Sequence, residues 1–213
     1  MIGIGTTNQL QNNIKTFLQL LHPQKHKLFN IHSEVINLDR LVKDLYELSM
    51  SDIGALSYNK KELNIIEQLQ QSISFYQDAF ESDEIELIFN VKFEGDLYVH
   101  ADADRLSQLF SNLLANSLRY TDKRGKLEIT VAKKYNKVTI EFNDTAPSVM
   151  DADLHKLFDR LFRVETSRSR DTGGSGLGLA ICQNIVDAHQ GKISAAQSNL
   201  GGLKIIIELP WVK

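Results

Sequence analysis

The periodicity of the apolar residues changes near residues 51–54, and this change constrains the fold more than any other feature. Over residues 8–50 the apolar side chains recur at the spacing of helices. Beyond residue 54, strand-like and helical runs interleave without a strict repeat. The sequence therefore predicts a helical part over residues 1–57 and a mixed α and β domain over residues 58–213.

The helical part is predicted to be a hairpin, because His22 and Pro23 interrupt the apolar pattern. The two helices would join near residues 22–28. The second helix carries an apolar stripe that is wider than one partner helix can cover. Such a hairpin commonly dimerises into a four-helix bundle, so we expect a homodimer. The alternative is that the stripe packs on the downstream domain of the same chain.

The downstream domain is predicted to have an α+β fold, a two-layer α/β sandwich in which helices cover one face of a mixed sheet. The helical patterns cover residues 66–80, 102–120, 151–158 and 177–189. The strand patterns cover residues 85–93, 97–100, 126–133, 137–143, 192–196 and 203–209.

Composition narrows the possible partners. A formal net charge of −3 gives no general electrostatic reason to expect nucleic acid, so any anion must be bound locally. The single cysteine, Cys182, lies in an apolar run and is predicted to be a buried, reduced thiol. No apolar stretch approaches the ~20 residues that span a bilayer, which predicts a cytosolic chain. A membrane-anchored parent protein is compatible with this prediction.

Two asparagines and an arginine share one face of the predicted helix 102–120. Asn112 and Asn116 are four residues apart and Arg119 is three further on, so their side chains project together. Amide oxygens are suitable ligands for Mg²⁺, and a guanidinium can pair with phosphates. A solvated helix face is the alternative interpretation.

A glycine-rich segment, residues 173–178, opens directly into the predicted helix 177–189. Glycines allow the backbone to approach a ligand closely, and the free N–H groups of a helix start attract phosphate oxygens. The pattern is neither a P-loop nor a dinucleotide fingerprint. It predicts a phosphate-binding loop, and a simple helix-capping loop is the alternative.

Asp144 follows the predicted strand 137–143. A carboxylate at a strand end can accept a hydrogen bond from the exocyclic amine of adenine, a donor that guanine lacks at that position. An ordinary turn residue is the alternative.

The order of these three groups resembles the ATP site of the gyrase, chaperone, histidine-kinase and mismatch-repair superfamily, and histidine kinases fit best. Four segments resemble their N box, first glycine box, F box and second glycine box: residues 112–121, 144–148, 158–163 and 174–179. Residues 34–52 resemble the second dimerisation helix. The resemblance implies the Bergerat ATP-binding fold. It also implies transfer of the ATP γ-phosphoryl group to a histidine, for relay to an aspartate of a cognate response regulator.

The resemblance also implies residue roles. Asn116, with Asn112 beside it, would coordinate Mg²⁺, and Arg119 would contact phosphate. Tyr120 would line the adenine pocket and Asp144 would bind the adenine amine. Three arginines would be phosphate ligands, and three glycines would hinge a lid over the nucleotide and present backbone donors. The predicted nucleotide site comprises Asn112, Asn116, Arg119, Tyr120, Asp144, Ala146, Arg163, Arg168, Arg170, Gly174, Gly176, Leu177, Gly178 and Leu179.

Two departures from the family pattern stand out. Ala146 and Ser148 replace the glycines of the first glycine box, which predicts an altered nucleotide affinity. None of the six histidines lies in the His-Glu-x-x-x-Pro-like context of the phosphoacceptor. We therefore expect a fragment that binds Mg-ATP but does not phosphorylate itself, from the cytoplasmic part of an inner-membrane sensor kinase.

Two other functions fit parts of the sequence. One is a degenerate nucleotide-binding and dimerisation module without kinase activity, since the first glycine box is altered. The other is an ATPase or serine-directed kinase of the same superfamily. The predicted hairpin argues against the second.

Overall fold

The computed structural model describes residues 31, 34–36, 38–145, 147–164 and 175–212, and the chain divides into two compact units, Met1–Lys43 and Asp44–Lys213. The described residues of the first unit are helical. Their large apolar side chains are more than half exposed: Ile31, Val35, Ile36, Leu38 and Val42. The first helix of the predicted hairpin and its turn lie outside the described residues. The hairpin, the homodimer and the domain boundary after residue 57 stay predictions.

The second unit begins with a helical segment, α1, over residues 44–52. After α1, the described residues form seven strands, four α-helices and one 3-10 helix, Asp151–Phe158. Strands and helices interleave, as predicted for an α+β domain. The strands are β1 Lys61–Asn64, β2 Glu86–Lys92, β3 Tyr98–Ala101, β4 Lys126–Lys134, β5 Lys137–Thr145, β6 Lys192–Gln197 and β7 Gly201–Val212. The remaining helices are α2 Ile65–Ser74, α3 Gln77–Ser82, α4 Ala103–Tyr120 and α5 Gly178–Ala188.

The strands form one mixed sheet, which confirms the predicted fold class. Their order is β1-β3-β7-β5-β4-β2, and β6 also pairs with β7. β2 runs parallel to β4, whereas the other pairs are antiparallel. Tyr135 has a left-handed φ of 55° at the turn between β4 and β5. The hairpin predicted for these two strands is confirmed.

The core lies between the sheet and the helices α4 and α5, which pack together. The rings of Phe110 on α4 and Phe142 on β5 stack with centroids 6.5 Å apart, which joins the helical layer to the sheet. Burying an aromatic ring of this kind contributes about 2 to 3 kcal/mol. Cys182 on α5 is fully buried, as predicted, and burial raises the pKa of its thiol. No helix in the described ranges is long and apolar enough to cross a bilayer.

Two local predictions were wrong. The predicted helix 66–80 is two helices, because the chain turns at Phe75 and Tyr76 and the Tyr76 hydroxyl donates to Ser111 O at 3.2 Å. Strand β1 was missed because its sequence, Lys-Glu-Leu-Asn, has no apolar alternation. The short helix predicted over residues 151–158 is confirmed and is a 3-10 helix, in which Asp159 N donates to Lys156 O at the end.

Candidate nucleotide-binding site

Helix α4, which carries the predicted asparagine pair, begins at a strong cap. The Asp102 carboxylate accepts hydrogen bonds from the backbone N–H groups of Asp104, Arg105 and Asn59 at 3.1, 3.2 and 2.7 Å. Burial acts to raise the pKa of Asp102, but these donors hold it below its ordinary value. The cap therefore fixes both the start of α4 and the segment that precedes β1.

The two faces of α4 differ in character. One face buries Leu106, Leu109, Phe110, Leu113, Leu114 and Ser117. On the other face, Asn112, Asn116 and Arg119 are half-buried. Asn112 Nδ2 donates to Gly178 O at 3.4 Å, a long bond that brings the asparagine face beside the start of α5. The N-box helix and the described part of the second glycine box therefore lie side by side.

Helix α5 begins without a side-chain cap. Its N-cap residue is Leu177, which is fully buried, and its own N–H donates to Ser175 Oγ at 3.2 Å. The N–H groups of the first turn, including those of Gly178 and Leu179, have no acceptor within the helix. A Cβ at Gly178 would lie 3.8 Å from Asn112 Cγ, its nearest neighbour among the described residues, so the protein itself does not require glycine there. The open space and free donors suit an anion.

The flanks of the predicted lid are bound to each other. Leu161 N donates to Gly176 O at 2.9 Å. Gly176 has a φ of +70°, and a Cβ there would lie 2.9 Å from the carbonyl carbon of Leu161, so this position requires glycine. Leu161 also has a left-handed φ, 63°, which a leucine adopts only at a cost. The two flanks, at Leu161 and Gly176, are therefore held against each other.

Two arginines lie beside this point. Arg160 forms a two-pronged ion pair with Asp52, and its hydrogen bonds lower the pKa of that carboxyl. The Nε and Nη2 atoms of Arg163 are buried and have no hydrogen-bond partner in the described part of the chain. A buried guanidinium without an acceptor is costly, so this group favours a bound anion. The predicted site residues Arg168, Arg170, Gly174 and Ala146 lie outside the described residues.

Asp144 lies where the pairing of β5 with β7 is irregular. The register shifts between Asn143 and Thr145, and Leu203 N donates to Asp144 Oδ1 at 2.6 Å. Burial raises the pKa of Asp144 to about 6, although the Leu203 bond acts to lower it. A Cβ at Gly202 would lie 2.4 Å from the same oxygen, so only glycine fits beside this carboxylate.

The end of α4 lies against the end of β5. A Cβ at Gly125 would be 2.5 Å from both Thr121 Cγ2 and Thr145 Oγ1, so the chain after α4 passes directly over the residue after Asp144. Lys126 N donates to Thr145 Oγ1 at 2.9 Å, which fixes the same junction. Tyr120, the last residue of α4, is 39% exposed and has room to contact a ligand.

Sequence reasoning missed two residues of this site. Leu203 was predicted only as the start of a strand and Gly202 was not among the predicted site residues, yet both lie against the Asp144 carboxylate. The pair Gly201-Gly202 in front of an apolar strand was the available signal. It did not indicate which strand end the glycines would meet.

Comparisons with known proteins agree with this geometry. Residues 101–213 match the family described as histidine kinase-, DNA gyrase B-, and HSP90-like ATPase. The chain is 48% identical to the signal transduction histidine-protein kinase BaeS of Escherichia coli strain K12 over 97% of its own length and 42% of that protein. It is 33% identical to the sensor histidine kinase WalK of Bacillus subtilis strain 168, over 84% of this chain and 29% of that protein. The chain thus spans less than half the length of these relatives.

A solved structure supports the same assignment. The nucleotide-free catalytic domain of histidine kinase ThkA is 29% identical, with a TM-score of 0.63, over 73% of this chain and 96% of that domain. The alternatives of a degenerate module or a serine-directed enzyme are not favoured by these matches. The chain belongs to the histidine kinase-, DNA gyrase B- and HSP90-like ATPase family and carries a histidine-kinase catalytic domain.

Proposed function

We propose that this chain binds Mg-ATP and transfers the γ-phosphoryl group to a histidine on a dimerisation hairpin, for relay to an aspartate of a response regulator. The observation that carries the proposal is the Asp144 carboxylate at the end of β5. It is half-buried, and within the described ranges Leu203 N is its one hydrogen-bond donor. A partly desolvated carboxylate with one such donor favours a ligand that brings another.

Adenine supplies such a donor. Its exocyclic amine would bond the oxygen of Asp144 that Leu203 leaves available, and guanine, which has a carbonyl oxygen at that position, would repel it. Gly202 keeps the space beside the carboxylate clear of a side chain. Tyr120 at the end of α4 would contact the ring. The expected selectivity is therefore for ATP over GTP.

The phosphates would extend from Asp144 towards the start of α5. The first-turn N–H groups of α5, including Gly178 and Leu179, are donors of the kind that bind phosphate oxygens. Arg119 and Arg163, whose buried Nε and Nη2 atoms have no hydrogen-bond partner among the described residues, would neutralise negative charge. Phosphoryl transfer depends mainly on alignment and charge neutralisation, which these groups would supply.

The amide oxygens of Asn112 and Asn116 fit a magnesium ion. They are neutral, hard ligands on one helix face, and Mg²⁺ takes much of its shell from water and substrate phosphates. When bound, the ion would neutralise charge on the transferred phosphoryl group. A Cβ at Gly178 would lie 3.9 Å from Asn112 Oδ1, so this oxygen lies beside the start of α5.

The acceptor histidine would come from another polypeptide in an assay of this chain. None of its six histidines has the sequence context of a phosphoacceptor. His189, for example, accepts a hydrogen bond from Asp102 N at 3.0 Å on one ring nitrogen and contacts Ile185 O at 2.7 Å with the other. We place the parent protein at a membrane, as a sensor kinase that dimerises through its hairpin. Its expected partners are ATP, ADP and a response regulator, not nucleic acid.

The test is phosphotransfer in trans. This chain would be incubated with γ-labelled ATP, Mg²⁺ and a separate helical hairpin that carries the acceptor histidine of a similar kinase. We expect acid-labile label on the added hairpin and none on this chain. An Asp144→Ala variant should lose most of the transfer, whereas Asp96→Ala, an exposed aspartate bonded to Asn64, should retain it. Label on serine, or steady hydrolysis without transfer, would contradict the proposal.

A further inference from the structure

One exposed glutamine, Gln197 at the end of β6, binds the segment that follows the first glycine box. Its Nε2 donates to Val149 O at 2.6 Å and to Asp151 Oδ1 at 2.7 Å. Its Oε1 accepts a hydrogen bond from Ser148 Oγ. Both amide protons and the amide oxygen are thus used, and all three bonds go to residues 148–151.

The same pair of strands also binds the other end of this segment. Gln197 is the register partner of Leu203 on β7, and Leu203 N donates to Asp144 at 2.6 Å. One cross-strand pair therefore holds the chain at residue 144 and again at residues 148–151. Of the two positions where the family has glycines, Ala146 lies between these anchors in the sequence and Ser148 is part of the second anchor.

We propose that Gln197 is a positioning residue for adenine recognition, which fixes residues 148–151 after Asp144 in the conformation that binds ATP. The inference rests on the proposed function. Ordering a backbone residue costs about 1 to 2 kcal/mol, so a loop that is fixed before ATP arrives binds with less loss of entropy. Ser148 contributes through its hydroxyl, a group that the family's glycine cannot offer.

The attachment also reaches the lid flank. Asp151 begins the 3-10 helix Asp151–Phe158, which leads directly to Arg160 and Leu161. By binding Asp151, Gln197 therefore restrains the segment that connects the predicted adenine site to the lid flank at Leu161. Loss of Gln197 should weaken nucleotide binding without unfolding the domain, because Gln197 is exposed and contributes nothing to the buried core.

The test is calorimetric titration of Mg-ATP into four forms of this chain besides the parent. Gln197→Ala removes all three bonds, and we expect roughly three- to tenfold weaker binding. Gln197→Glu replaces the donor with a carboxylate that faces Val149 O and the Asp151 carboxylate, so binding should be weaker than in Gln197→Ala. Adding Asp151→Asn to Gln197→Glu returns a donor to the pair and should recover about threefold. Gln77→Ala, which removes a similar exposed bond to Glu81, is the matched control.

The recovery in the double variant shows that the contact between residues 197 and 151 carries the effect, and urea unfolding separates positioning from damage to the fold. Urea unfolding of each form should agree with the control. Binding by the Gln197 variants equal to that of Gln77→Ala, or a double variant no better than Gln197→Glu, would overturn the inference while leaving the proposed function intact. Absence of ATP binding by the parent would instead overturn the proposed function, and this inference with it.

Discussion

The two halves of helix α4 share one polar face, but their polar side chains differ in their hydrogen-bond partners. In the N-terminal half, Arg105 Nη1 and Gln108 Nε2 both donate to the Glu47 carboxylate at 2.8 Å. In the C-terminal half, Asn112 bonds Gly178 O at 3.4 Å and the Cys182 thiol, and neither Asn116 nor Arg119 forms a side-chain hydrogen bond or ion pair with another described residue. Among the described residues, the polar side chains of the first half therefore have charged partners, and Asn116 and Arg119 in the second half have none.

Helical spacing alone therefore does not tell whether polar residues stabilise the fold or bind a ligand. The spacing places Gln108, Asn112 and Asn116 on one face, but their partners decide their roles. In the N-terminal half, the Asp102 cap accepts backbone hydrogen bonds and Glu47 on α1 accepts from Arg105, so both partners belong to this chain. The C-terminal half ends near Thr145, the residue after Asp144, whose carboxylate has one hydrogen-bond donor among the described residues. Changes in the first half should therefore alter stability, and changes in the second should alter nucleotide binding.

The largest effect should come from the cap of the first half. Asp102→Ala removes the acceptor for three backbone N–H groups in a buried position, and we expect the free energy of unfolding to fall by about 2 to 3 kcal/mol. Urea denaturation would measure it. Asp104→Ala, an exposed neighbour in the first turn, should change stability by less than about 0.5 kcal/mol. If both substitutions changed the free energy of unfolding equally, the Asp102 cap would not be what stabilises the N-terminal half of α4.

In the second half, Asn116→Ala should reduce Mg-dependent ATP affinity roughly ten- to thirtyfold, because a magnesium ligand is lost. Its unfolding free energy should stay within about 0.5 kcal/mol of the parent value. Calorimetry and urea denaturation give the two numbers. Gln108→Ala, two turns earlier on the same face, should show the opposite pattern: lower stability and unchanged affinity. ATP binding by Asn116→Ala that equals the parent's would remove Asn116 from the site.

Acid should weaken ATP binding through Asp144. Burial raises the pKa of this carboxyl to about 6. The ionised form offers one oxygen to the adenine amine while the other accepts from Leu203 N, and protonation converts one of these acceptors into a donor. Affinity should therefore fall about tenfold between about pH 7.5 and pH 5. The ligand-free domain should behave oppositely, since a raised carboxyl pKa makes stability decline as pH rises from about 4 to about 6. An Asp144→Asn variant should lack both dependences, and a parent affinity that is flat across this range would contradict the assignment.

The smallest effect concerns Glu47. Its ion pair with Arg105 is about one-fifth to one-quarter exposed, at 19% and 26%, so Glu47→Ala should lower the unfolding free energy by about 1 kcal/mol. Glu47→Gln keeps one acceptor for Arg105 or Gln108 and should lose less. ATP affinity should not change in either variant. A loss of ATP affinity here would mean that the two halves of α4 are coupled.

Much of the fold was predictable because apolar periodicity determines it. The mixed sheet, α4, α5 and the β4–β5 hairpin all follow from local patterns. The break at Phe75 was not predictable, because it depends on a tertiary bond from Tyr76 to Ser111. In the site, the asparagine face and the glycine loop were recognised by spacing. Gly202 and Leu203 were missed, because their role arises from a register shift between two strands that are distant in sequence.

If the C-terminal half of α4 and the Asp144 carboxylate form an ATP site, calorimetric titration with ATP tests it most directly. The titration would be made with and without Mg²⁺, for the parent chain and for Asp144→Ala. Losing a charged hydrogen bond costs about 1.5 to 3 kcal/mol, so we expect Mg-dependent binding that weakens roughly ten- to hundredfold in the variant. Absence of binding by the parent chain, or equal binding by the parent and Asp144→Ala, would contradict it.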